Sequence, residues 1–299
     1  AEPVEPAVTA ASGRRAAPSV RDVAARRTGT TPVVEGTVER SSWATMAAAA
    51  DVIAGLPHGL ETRIGDRGVT LSGGTNTGAL VGSAASGFSM TNVVMDAVTA
   101  ANTISSNNSY LGALLGTAGS GTLSNIYVLN TNVTGTSWVG GVAGNGSMTV
   151  TNVHKVGNVT ATGSTVGGAF GYMSGTISNV DSVGNVTVTG SNYSVGGLIG
   201  DGGSSTITNA FATGTVAATA SYQVGGLMGV NGSGTLTNVS TSGGNVSGTY
   251  RVGGLVGYQI GTSTINTSST SGRVTGTSNH VGGLVGFLYN YAGINNATK

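Results

Sequence analysis

The sequence predicts an all-β chain, a right-handed parallel β-helix (solenoid) of about 28 residues and three short strands per coil, preceded by a short helix. Three observations carry this. The run Val252-Gly253-Gly254-Leu255-Val256-Gly257 recurs at Val139 to Gly144, Val166 to Gly171, Val195 to Gly200, Val224 to Gly229 and Val281 to Gly286, and loosely at Leu111 to Gly116. Its first glycine falls at 112, 140, 167, 196, 225, 253 and 282, steps of 27 to 29 residues, a period that marks a repeat too small to bury its apolar face alone. A degenerate copy, Gly78-Ala79-Leu80-Val81-Gly82, lies 34 residues before Gly112. Finally, 53 glycines with 8% charged and 5% aromatic residues are too glycine-rich for a conventional core, yet 38% hydrophobic content suffices for a narrow one.

Taken in order, residues 1–40 read as an arm, rich in Ala, Pro and Glu and then in Arg. Residues 41–69 read as a helical cap. Ser41 or Ser42 is the N-cap, Trp43 to Ala54 is the helix, and Gly55 and Pro57 stop it. Such a cap would cover the open end of a parallel sheet stack. Overlapping its end, residues 51–74 resemble the segment leading into the LSGG signature of ABC-transporter ATPases, with Leu71-Ser72-Gly73-Gly74 as the match. The chain has no GxxxxGK[ST] phosphate loop, and Thr75 stands where that family carries glutamine, so no ATPase is expected.

Residues 70–299 hold about eight coils. Each carries the glycine-rich cluster, then an apolar-x-Asn-apolar cluster such as Ile177-Ser178-Asn179-Val180, then a Gly-x-Val-polar cluster such as Gly184-Asn185-Val186-Thr187. Runs this short and β-branched are strands. The strand–crossover rule chooses the right hand. Glycine at fixed phase is expected to give positive-φ corners and close wall contact, and asparagine at fixed phase a stacked amide ladder.

The copies Gly197-Leu198-Ile199-Gly200, Gly226-Leu227-Met228-Gly229, Gly254-Leu255-Val256-Gly257 and Gly283-Leu284-Val285-Gly286 resemble the GLUG repeat of bacterial surface and secreted proteins. The copies at 141–144 and 168–171 depart at the leucine. The resemblance implies an extracellular repeat module with no shared catalytic residues. An N-terminal Ala1-Glu2-Pro3 without initiating Met fits the mature end of a secreted chain.

The remaining composition limits function. A net charge of +1 gives no case for nucleic acid, no cysteine is present, and no apolar run of about 18 residues exists to span a membrane. Asp181 and Asp201 fall at different corners, so a glycosidase-type carboxyl pair is not expected. His154-Lys155 reads as a solvated bulge, and no metal or cofactor site is visible. Aligned by phase, Tyr193, Tyr222 and Tyr250 form one surface column, and Tyr172, Tyr258 and Phe287 belong to another. These are the candidate recognition residues. The expected function is an extracellular structural or adhesive rod, a fibre or filament subunit pairing head to tail with itself. The alternative is a carbohydrate-binding module that takes a surface polysaccharide on the tyrosine columns. Ice binding is disfavoured because Thr-x-Thr does not hold register.

Overall fold

The computed structural model describes residues 69–70, 75–96, 102–107, 109–191 and 193–299. The expected arm, the helix of the cap region and nearly all of the LSGG-like segment fall outside these residues. Among the described residues every regular element is a strand. The strands form three parallel sheets of eight, fifteen and eight members, stacked as a β-solenoid of about seven turns and about 29 residues per turn. Eight copies of the glycine motif therefore bound seven full turns.

The glycine-rich cluster divides between two sheets. Its Val-Gly half lies in the first sheet, where Val139 pairs with Val166 and Gly140 with Gly167. Its second half starts the long sheet, where Ala143 pairs with Phe170 and Phe170 with Ile199. The long sheet continues through the asparagine cluster, in two turns as single strands of 14 residues, Ala143–Val156 and Phe170–Val183. The third sheet is built from the Gly-x-Val cluster, with Val159 paired to Val133 and Val186. The core fills the space between the three sheets. Leu111, Leu123, Ile126, Val166, Ile177, Leu198, Leu227 and Val252 are all fully buried.

Two of the corners use different chemistries. In the asparagine cluster the residue at the bend is left-handed: Asn92, Asn125, Asn152, Asn179, Asn209 and Asn238 have φ between 52° and 57°. Asparagine tolerates this conformation, and its amide also bonds to the next turn. Asn125, Asn152, Asn179, Asn209 and Asn238 each donate from Nδ2 to the Oδ1 of the preceding asparagine, at 2.7 to 3.2 Å. The expected ladder is present, and it ends where Thr267 takes the next left-handed position. In the third cluster the corner residue is glycine, as at Gly157, Gly184, Gly214 and Gly272, with φ between 107° and 142°. The glycines of the Val-Gly-Gly motif serve close approach alone.

Asn179→Gly should lose ladder bonds while keeping the backbone conformation, and Asn179→Ala should lose both. The alanine variant is therefore expected to be less stable than the glycine variant by about 1 kcal/mol. Equal denaturation midpoints would show that the bend relaxes on substitution.

Candidate functional site

Three groups of side chains stand out from the regular pattern. The first is the aromatic edge beside the first sheet. Tyr193 and Tyr222 stack, with centroids 5.8 Å apart and planes 19° from parallel, and Tyr222 meets Tyr250 edge-on at 6.5 Å. In the other column Tyr258 stacks on Phe287 at 5.7 Å and 16°, as their strand register dictates. Arg251 joins the two columns, its guanidinium 4.0 Å from the Tyr258 centroid and 5.2 Å from that of Tyr250. His280 packs against both Tyr250 and Phe287. Tyr172 belongs elsewhere, in a chain with Trp138 at 5.8 Å, which in turn meets Tyr110 at 5.4 Å. Five of the six sequence-predicted residues thus meet in one cluster, and Tyr172 stands apart. In the stacked pairs Tyr193–Tyr222 and Tyr258–Phe287 one ring face of each residue is spent on its neighbour.

The second group lies on the long sheet, just past the asparagine ladder. Strand register aligns Val94, Tyr127, His154, Asp181, Phe211 and Ser240 in one outward column. His154 Nδ1 contacts Asp181 Oδ2. His154 is therefore paired with an acid, which corrects the expectation of a solvated bulge. The cause is register: His154 and Asp181 are direct partners on neighbouring turns. Burial raises the Asp181 carboxyl above its ordinary pKa, and the charge and hydrogen bond of His154 partly offset this. Tyr127 and Phe211 flank the pair and are 43% and 42% exposed. Between this column and the ladder runs a shallow open groove of about 390 Å³, lined by Asn179, Asp181, Asn209, Phe211, Asn238 and Ser240.

The third group is internal. Lys155 is fully buried, 0% exposed, where the sequence reading expected it in solvent. Its position in the strand points inward, in register with Val128 and Ser182. Its amine donates to the Gly157 carbonyl, and burial lowers its pKa to about 7. The same interior column holds Met95, Val128, Ser182, Ala212, Thr241 and Thr270.

Asp201 lies in a different column from Asp181, between Tyr172 and Val230. Burial raises its pKa, and the Gly203 N–H, 2.9 Å away, opposes the rise. Among the described residues no group of three or more His, Cys, Asp or Glu side chains is arranged to hold a metal, and no helix is long and apolar enough to cross a membrane. The threonine column of the third sheet runs Thr134, Thr160, Thr187 and is broken by Ala217.

Alignment of the second cluster by phase carries the signal for the groove and for Lys155. Two residues past each asparagine the side chain points out, and three past it the side chain points in. Comparison with protein-family models, with curated proteins and with solved structures finds no match to this chain.

Proposed function

We propose that this chain is a non-catalytic structural and adhesive rod of the cell exterior that associates head to tail with further copies of itself. The observation that carries the reading is the stack itself, in which Val139, Val166, Val195, Val224 and Val252 pair from turn to turn over a continuous apolar core. The unpaired edge of a parallel sheet is a template for another strand of the same kind. A second copy supplies that strand by a heterologous contact, which propagates instead of closing. The GLUG-like copies and the low charge support an extracellular setting.

Sedimentation of the purified chain over a range of concentrations tests this. Mass should rise with concentration, and negative-stain images should show linear assemblies. Deletion of residues 1–40 should abolish assembly and leave the circular-dichroism spectrum of a β-solenoid. A chain that stays monomeric at the highest concentration overturns the proposal.

A further inference from the structure

The geometry points to a second, lateral site: the groove between the asparagine ladder and the column Tyr127–His154–Asp181–Phe211 binds a neutral polysaccharide chain lying along the solenoid axis. This inference is independent of head-to-tail assembly.

A sugar ring offers two kinds of surface, an apolar face of C–H bonds and an edge of hydroxyls that both donate and accept. The groove supplies a match for each. Phe211 is 42% exposed, and unlike the tyrosines of the aromatic edge it does not spend a face on a stacked partner. Tyr127, further along the same column, meets His154 in a T-shaped contact at a centroid separation of 6.4 Å and is 43% exposed. Open aromatic faces of this kind take the apolar side of a pyranose. For the hydroxyl edge, Asp181 offers carboxylate lone pairs, with its orientation fixed by His154. Asn179, Asn209 and Asn238 each commit one amide hydrogen to the ladder, which leaves a second N–H on each side chain for a ligand.

Spacing and charge narrow the class. Tyr127 and Phe211 are three register steps apart, about 14 Å at the usual strand separation of about 4.8 Å. That length suits several residues of an extended glycan, whose sugar repeat is close to the strand repeat. The ladder therefore presents an equivalent donor to each successive ring. The groove is lined by one carboxylate, Asp181, and by no Lys or Arg among the described residues, so it offers an anionic sugar no counter-charge and suits a neutral glycan. A shallow, open groove on rigid strands also suits a polymer that continues past both ends.

Affinity electrophoresis of the full chain in gels containing glucomannan, xylan, mixed-linkage β-glucan or alginate tests the proposal. At least one of the three neutral glycans should retard the protein, and alginate should not. Phe211→Leu keeps an apolar side chain but removes the ring face, and should weaken retardation at least tenfold. Phe211→Tyr should retain it, and Asp181→Asn should weaken it. Tyr193→Ala, on the aromatic edge, should bind as the parent does. The proposal fails if no neutral glycan retards the chain, if only alginate does, or if Phe211→Leu binds like the parent. Tyr193→Ala losing binding while Phe211→Leu keeps it would place the glycan on the aromatic edge and also overturn it. Oligomeric state, read separately by sedimentation, does not enter these outcomes.

Discussion

Lys155→Met is expected to raise the melting temperature at pH 7 by roughly 6–12 °C, equivalent to about 3 kcal/mol in a domain of this size. Lys155 is fully buried and gains only a carbonyl acceptor at Gly157, so desolvation lowers its pKa from 10.5 to about 7. The unfolded chain then binds more protons than the folded one between about pH 7 and 10.5, and stability rises with pH across that window. Below pH 7 the amine is charged in both states and the burial penalty is felt in full. Above pH 10.5 it is neutral in both and the penalty vanishes. The swing is on the order of 5 kcal/mol. Methionine matches the length of lysine without its charge, and Met95 already occupies the same interior column two turns away. Parent and variant should therefore differ most at pH 6 and converge near pH 10.5. Parallel melting curves at all pH values would show that the amine reaches water in the folded state.

Lys155 also shows where sequence reading stops. The repeat period, the three clusters and the asparagine ladder follow from residues recurring at fixed phase, because a solenoid turns sequence period into spatial register. The tyrosine contacts were legible for the same reason. Substitutions within a column are harder to read. Lys155 replaces a valine and precedes a serine at an interior phase, and its charge suggests solvent although the pleat turns it inward. His154, one residue earlier, faces out and finds Asp181 on the next turn, a pairing between residues 27 apart that no local motif announces. Phe211 and Tyr127 were missed because they share a column with polar residues, so the column has no uniform chemistry to notice. The division of the glycine-rich cluster between two sheets was also hidden. It depends on backbone direction at adjacent glycines, which carry no side-chain signal.

Those glycines set the second large effect. Gly254→Val should destabilise the solenoid by at least about 3 kcal/mol, at the severe end of overpacking, whereas Ser240→Val should change stability by less than about 0.5 kcal/mol. A Cβ on Gly254 would lie 2.2 Å from the carbonyl oxygen of Gly283 and 2.8 Å from Thr270 Oγ1. The obstacle is backbone of the next turn, which cannot rotate away as a side chain does. The same contact recurs down the stack: a Cβ at Gly168, Gly197 or Gly226 would stand 2.0 to 2.1 Å from the corresponding carbonyl one turn on. Valine at 254 must therefore pry two turns apart and break the strand pairing on either side. Ser240 faces outward on the strand Thr235–Ser242 and is half-buried, where a β-branched side chain suits the pleated surface. Ala113 and Ala79 occupy the Gly254 phase in the first turns and are buried there, so Gly254→Ala should fall between the two valine variants. Chemical denaturation of all three variants gives the order directly. Gly254→Val and Ser240→Val unfolding at the same midpoint would mean that the turns are not held at the spacing that makes this glycine column necessary.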